Sequence, residues 1–209
     1  RAAPWATHLL VSARVEGVVS LFVVEVEAEG VNRLAYPTYD GQRAADVVLE
    51  EACAVRLAHV DLCRIEQALD MATLVQASEA IGIMRHMVSA TREHVTTRQQ
   101  FGQPLGRFQV LQHRMADMAM ALARAEAVTK AGLAQMQWAG DRARLVSNIK
   151  LAVDQAASLV AEGAVQLHGA IGMTEELSVS HGFKRLTLIQ TEFGDQAYHR
   201  GRISDRLAA

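Results

Sequence analysis

The spacing of apolar and polar positions changes partway along the chain, and that change divides it. From Trp5 to about Arg64 the pattern is that of strands: His8-Leu9-Leu10-Val11-Ser12-Ala13, then Val18 to Val26, rich in β-branched residues. Glycine after an acidic residue predicts turns at Glu16-Gly17, Glu29-Gly30 and Asp40-Gly41. Ala44 to Leu49 reads as a further strand and Ala54 to Leu62 as the last one. From Arg64 to about Thr97 apolar residues recur at helical steps through Ile65, Leu69, Ala72, Leu74, Val75, Ile81, Met84 and Val88. Arg107 to about Trp138 predicts a second long helix, with Leu111, Met115, Met118, Leu122 and Ala125 on one stripe. Gly140-Asp141 opens a third, carrying Ile149, Ala152, Ala156, Val160 and Ala164 to Gln166, and shorter helices follow over about Glu176 to Thr191 and Asp195 to Leu207. Long helices with short connections predict an antiparallel, up-down bundle. The expected fold is α+β by content and mainly α, with a β module over residues 1–64 and a helical bundle over residues 65–209.

The chain has 209 residues, of which 50% are hydrophobic and 5% aromatic, enough for a sizeable and mostly aliphatic core. A formal charge of -2, with no run of Lys or Arg, gives no reason to expect nucleic acid or anionic lipid as a partner. The apolar run Val18 to Val24 is split by Ser20 and falls short of the roughly 20 residues a membrane helix requires. Cys53 and Cys63, with no secretory leader in view, read as reduced thiols in a cytoplasmic protein. Arg1-Ala2-Ala3-Pro4-Trp5 is neither a Met start nor a signal peptide.

Two stretches carry candidate chemistry. The first is Thr97-Arg98-Gln99-Gln100-Phe101-Gly102-Gln103-Pro104-Leu105-Gly106-Arg107-Phe108-Gln109-Val110-Leu111-Gln112, followed by Met115-Ala116-Asp117-Met118. One helix should end near Arg98, Gly102, Pro104 and Gly106 should make a loop, and the next helix should open near Arg107. An arginine and an aromatic ring beside a helix start, with glutamines on its first turn, can bind an anion and cover a planar ring. A dinucleotide offers both. The second stretch is Gln166-Leu167-His168-Gly169-Ala170-Ile171-Gly172-Met173, whose small residues let backbone N–H groups approach a ligand. His86, His94, His113, His168, His181 and His199 are scattered, no Glu-x-x-His pair suits a diiron bundle, and no Gly-x-Ser-x-Gly elbow is present.

These residues resemble the acyl-CoA dehydrogenase family. Its R-x-x-F-G-x-x-L-x-x-F-Q-x-x-Q motif falls on Arg98, Phe101, Gly102, Leu105, Phe108, Gln109 and Gln112, and its A-D-M on Ala116-Asp117-Met118. Its Q-x-x-G-G-x-G loop falls on Gln166, Gly169, Ala170 and Gly172, with alanine for the second glycine. If that position required φ above zero, alanine would cost about 1–2 kcal/mol. The resemblance implies FAD as cofactor, met by Arg98, Gln100, Phe101, Leu105, Phe108, Gln109, Gln166, Leu167, Gly169 and Ala170, the second loop reaching the neighbouring subunit's flavin. Trp5 to Ala13, Ser20 to Gly30 and Gly41 to Arg43 look like the later half of the family's middle β-barrel. Residues 1–64 would then be a partial barrel domain and 65–209 the C-terminal bundle for flavin binding and oligomerisation. The chain would begin inside the barrel, lacking the family's N-terminal helices.

The implied reaction is α,β-dehydrogenation of an acyl-CoA thioester, in which a carboxylate of raised pKa takes the α-proton and hydride leaves to the flavin. In most members the base is the Glu of a Y-E-G-T segment, and ungapped counting places that position on Phe193. In others it lies on the first long helix, at the position of Ala72. Neither can accept a proton. Glu192 and Asp195 are nearby carboxylates, and Lys184 stands where most members have arginine. The expectation is a subunit of a hetero-oligomer whose homologous partner supplies the Glu, an arrangement found in bacterial members acting on bulky acyl-CoAs such as steroid thioesters. An electron-transfer flavoprotein or similar acceptor would take the electrons, and the assembly, with a homologue or with itself, would be a dimer of dimers. The alternatives are a self-sufficient homo-oligomer using Glu192, and a non-catalytic helical interaction protein that has lost flavin.

Overall fold

In the computed structural model, which describes residues 1–58, 60–136 and 141–207, the first unit, Arg1–Leu69, is built on two antiparallel sheets. β1 (His8–Val15) and β2 (Val18–Glu25) form a hairpin through Glu16 at φ 51 and Gly17 at φ 82. Positive φ at both turn residues matches the right-handed twist of the strands. β3 (Val31–Pro37) and β4 (Arg43–Leu49) make a separate pair, and β5 (Val55–Arg56) adds to β2. β3 was not among the strands expected, because Asn32, Arg33 and Pro37 break its apolar pattern. The last expected strand, Ala54 to Leu62, shortens to two residues. Asp61 ends it by capping a helix: its Oδ1 accepts the backbone N–H of Arg64 at 2.9 Å, and α1 (Leu62–Thr97) starts there. Among the described residues of this unit only Val24, Val26 and Ala44 are buried hydrophobics, a small core for a β module.

The second unit, Asp70–Ala209, carries the rest of α1, then a hairpin of β6 (Gln99–Gln100) and β7 (Gln103–Pro104), α2 (Gln109–Gln135), α3 (Arg142–His168), α4 (Ser178–Ile189) and α5 (Gln196–Leu207). Trp138 and Gly140, expected at the end of one helix and the start of the next, lie outside the described residues. Asp141 and Asp195 repeat the device of Asp61, accepting the N–H of Arg144 at 3.1 Å and of Tyr198 at 2.8 Å. Such a cap is worth about 1 kcal/mol.

α3 is the centre of the bundle and packs on α2, α4 and α5. Its Val146, Ile149, Val153, Ala156, Ala157, Val160, Ala161 and Ala164 are buried with Leu74, Ile81, Met84 and Met87 of α1, Met118, Leu122 and Ala125 of α2, and Leu186 and Ile189 of α4. Each large side chain so buried contributes about 1.5–3 kcal/mol. Small residues let α2 and α3 close up: a Cβ on Gly163 would stand 2.8 Å from Met118 Sδ. The expected stripe on α1 is too wide, since Leu69 and Val75 are 49% and 63% exposed. Val75 points about 100° away from the buried Leu74. Among the described residues no helix is long and apolar enough to cross a membrane, and both cysteines are free thiols.

Candidate functional site

α1 ends where the sequence turns polar and β-branched at Thr96-Thr97. The N–H of Arg98 still bonds His94 O at 2.8 Å, and the N–H of Leu105 bonds Arg98 O at 2.9 Å, which closes the hairpin between them. Phe101 at φ 52 and Gly102 at φ 81 form its tip. A short 3-10 turn, Leu105–Arg107, leads into α2, and Gln112 Nε2 donates to Gly106 O at 2.8 Å. At the end of α3, Gly169 takes φ 68 and ψ -148, and its N–H bonds the carbonyls of Val165 and Gln166. That region of backbone space is essentially reserved for glycine, so Gly169 turns the chain where a side chain would strain it.

The two chain reversals meet along a cleft of about 490 Å³ lined by His94, Arg98, Gln100, Leu105, Leu111 and the run Gln166–Ile171. The Arg98 guanidinium is exposed and has no hydrogen-bond or ion-pair partner among the described residues. His94 and His168 stack with ring centroids 4.3 Å apart and planes 26° from parallel. His168 Nδ1 lies 2.9 Å from Ala164 O; a carbonyl only accepts, so Nδ1 carries the proton. Burial holds His94 below the usual imidazole range, helped by the charges of His168 and Arg98. No carboxylate lines this cleft, whereas a neighbouring one of about 300 Å³ that shares Gln166 has Asp117 and Glu162 in its wall. A single guanidinium with no acid in the described lining suits an anion, and Leu105, Leu111 and Leu167 add an apolar wall suited to a ring system.

Seven of the ten candidate cofactor residues, Arg98, Gln100, Leu105, Gln166, Leu167, Gly169 and Ala170, are thus brought together from two distant stretches. Phe101, Phe108 and Gln109 are not on this wall. Phe101 is 89% exposed at the hairpin tip and meets Phe108 edge to face at 6.2 Å, and Gln109 is exposed at the first turn of α2. The left-handed tip turns Phe101 outward. Ala170 needs no displaced loop, because the positive φ falls on Gly169 instead. The scattered spacing of the histidines does not single out His94 or His168. The signal for His94 was its place four residues before Arg98, on the same helix face.

The other candidate region lies between α4 and α5. Phe193, at φ 56 and 44% exposed, occupies the expected base position, and Ala72 is half-buried on α1. Glu192 accepts from Gln76 Nε2 and from Arg185 Nη1, which is 3.3 and 3.2 Å from its two oxygens. Arg185 also grips Glu79 through two bonds of 2.5 and 2.7 Å. Asp195 caps α5, and Lys184 pairs with Glu175 at 2.6 Å. Under this turn Lys150 Nζ, wholly buried, bonds both oxygens of Asp154 at 2.7 Å and the carbonyl of Ile189 at 2.9 Å. Burial pushes the Asp154 carboxyl up to about 6 against the pull of Lys150. Buried His199 donates from Nε2 to Phe193 O at 3.2 Å and accepts at Nδ1 from the Ser147 hydroxyl at 3.0 Å. Burial, with the charge of Lys150, holds its pKa below the usual range.

Residues 62–208 match the family profile described as acyl-CoA dehydrogenase, C-terminal domain. Two curated proteins named acyl-CoA dehydrogenase IpdE2 are similar to this chain. That of Mycobacterium tuberculosis is 36% identical over 124 residues, 59% of this chain and 37% of that protein. That of Mycolicibacterium smegmatis is 31% identical over 164 residues, 78% of this chain and 51% of that protein. The chain therefore spans about half or less of the length of these relatives. A solved structure described as a variant of the Tcur3481-Tcur3483 steroid ACAD superposes with a TM-score of 0.90 at 25% identity, covering 99% of this chain and 56% of that one.

Proposed function

The chain belongs to the acyl-CoA dehydrogenase family, and from that premise we propose that it is a flavin-holding part of an enzyme that introduces an α,β double bond into an acyl-CoA thioester. FAD, when bound, supplies the hydride acceptor. This chain contributes the binding wall: Arg98 meets the anionic diphosphate, the Gly169 turn lets the main chain approach, and Leu105 and Leu167 keep water from the ring system. The donor set and the absence of carboxylates from the described lining fit such a dinucleotide.

The α-proton goes to a carboxylate outside this chain. Phe193 and Ala72 have no basic group, and Glu192 is already held by Arg185 and Gln76, bonds that protonation would weaken. The observation that carries the proposal is the contrast between a cleft with Arg98 and no acid in its described lining and two base positions that hold no carboxylate. A homologous partner subunit supplies the Glu, as the paired naming of the Tcur3481-Tcur3483 steroid ACAD supports. A bulky acyl group is the matching substrate class, and an electron-transfer flavoprotein or similar acceptor takes the electrons onward.

The test is the visible absorption spectrum of the chain alone and co-purified with a homologous subunit. A flavin band in the co-purified complex, bleached by an acyl-CoA, is expected. A bleachable band in the chain alone, with turnover lost in Glu192→Gln, would instead make it self-sufficient. Absence of flavin from both samples would leave a helical interaction protein.

A further inference from the structure

Helix α2 is apolar on two opposite sides. One side places Met118, Leu122 and Ala125 in the core. The other presents Ala116, Met120, Ala123, Ala127, Ala131 and Ala134, all exposed, Met120 by 61%. At 100° per residue these six fall within a strip about 80° wide, where a helix with a single buried face would carry charge. The two borders of the strip differ. Toward α1, Glu126 is paired with Arg85 at 2.7 Å and lies 3.9 Å from Lys130. Toward α3, neither Asp117 nor Arg124 has a hydrogen-bond or ion-pair partner among the described residues. The two are seven residues apart, two turns less about 20°, and so share that border. Asp117 also lines the cavity of about 300 Å³ with Arg114, Leu159, Glu162, Gly163 and Gln166. Leu159 is 42% exposed there, and neither Arg114 nor Glu162 is paired among the described residues. Two acids and one arginine leave this described lining one positive charge short.

We propose that the outer strip of α2 docks a second copy of this chain, with the two α2 helices antiparallel and Asp117 of each copy paired with Arg124 of the other. A two-fold axis crossing the strip at Met120 stands three residues from Asp117 and four from Arg124, about 5 Å to either side. Rotation about it lays strip on strip, keeps like borders adjacent and brings Asp117 level with Arg124 of the second copy. Alanines on both sides let the helix axes approach to about 8 Å. The arginine so delivered supplies the charge that the cavity beside Asp117 and Glu162 is short of. Because the contact is isologous, both ion pairs form together. The homologous subunit of the proposed function then binds elsewhere, and its complex holds two copies of this chain.

The experiment is sedimentation and light scattering of the chain, alone and with its co-purified subunit, over a range of concentrations. Two copies of this chain per particle are expected in both preparations. Asp117→Arg and Arg124→Glu each bring like charges together and should raise the dissociation constant at least about tenfold. An equimolar mixture of the two variants should restore it, because one is then positive and the other negative at both positions. One copy per particle in either preparation overturns the inference, as does a dimer that both variants leave unchanged, or a mixture that stays dissociated. Loss of the homologous subunit in place of the second copy would assign the strip to that subunit and also overturns it. None of these readouts uses flavin, so the flavin reading stands or falls separately. Should the charge variants fail to fold, Met120→Cys decides, in a chain whose exposed thiols are removed by Cys53→Ser and Cys63→Ser. A residue on a two-fold axis meets its own copy, so mild oxidation should link the dimer through it. Ala134→Cys, about 20 Å along the helix from the axis, should not link. No link at position 120, or equal linking by both variants, overturns the inference.

Discussion

At the cleft between the end of α1 and the end of α3, Arg98 is exposed and has no partner among the described residues, and the described wall has no acid. At the turn between α4 and α5, by contrast, Arg185 is shared by Glu79 and Glu192, Lys150 is buried on Asp154, and His199 is bonded on both nitrogens. An anion-binding surface has to be left incomplete by the protein itself, and at an exposed position this costs little because water solvates the cation. A carboxylate held by an arginine and an amide loses part of those bonds when it takes a proton, so Glu192 is poorly placed to act as a base. Among the described residues the cleft leaves its arginine unpaired, whereas the α4–α5 turn pairs its charged groups with one another.

The largest effect that could sharpen this contrast is Lys150→Met. It leaves the Asp154 carboxylate buried without its partner and should lower stability by about 3–5 kcal/mol in thermal or denaturant unfolding. A loss near zero would mean that the closed end is not held by this pair. The same pair carries a pH signature. Burial pushes the folded carboxyl of Asp154 up to about 6 from its ordinary value of 3.8. The native state therefore holds this proton more tightly, and the resulting stability is full below 3.8 and lost as pH rises through 6. Asparagine cannot titrate, so native stability minus that of Asp154→Asn should increase as pH falls across this window, by up to about 1.4 kcal/mol per pH unit. The opposite slope would mean that attraction to Lys150 outweighs burial.

At the open end, Arg98→Ala should weaken FAD binding by roughly 10- to 100-fold, the worth of about 1.5–3 kcal/mol for charge-assisted bonds. It should leave the melting temperature nearly unchanged, because the guanidinium has no partner in the described fold. Flavin fluorescence and thermal melts together check this, and a large fall in melting temperature would break the contrast. Gly169→Ala forces a Cβ into backbone at φ 68 and ψ -148 and should cost about 1–3 kcal/mol of stability. Ala170→Gly should be the mildest change, a loss of no more than about 1 kcal/mol from added chain freedom. If its loss exceeded that of Gly169→Ala, Ala170 and not Gly169 would be the constrained position.

Much of the fold was legible because the signals were local. Glu16-Gly17 announced a hairpin turn, Asp141 and Asp195 announced helix starts, and Arg98 to Arg107 announced a reversal between long helices. Where a local signal was misread, a competing local interaction had won. The apolar run Ala54 to Leu62 looked like a strand, but Asp61 capped a helix within it. β3 stayed hidden because its partner β4, and not its own alternation, holds it in a sheet. Of the ten candidate site residues, seven line one cleft, while Phe101, Phe108 and Gln109 stand away from it through the geometry of a hairpin tip and a helix start.

By itself the sequence determined the family, the helix starts at Asp141 and Asp195, the arginine and the glycine turn that line the cleft, and the lack of a carboxylate at Phe193 and Ala72. Each of these is a property of residue type and near-neighbour spacing. Only the tertiary structure decided that His94 lies on His168, that Arg185 holds Glu192 to Glu79, and that an i,i+4 pair common on helix surfaces, Lys150 and Asp154, is wholly buried. The physical reason is that these contacts depend on which faces of separate helices meet. A pairwise distance sets their energy, and spacing along one helix does not specify that distance.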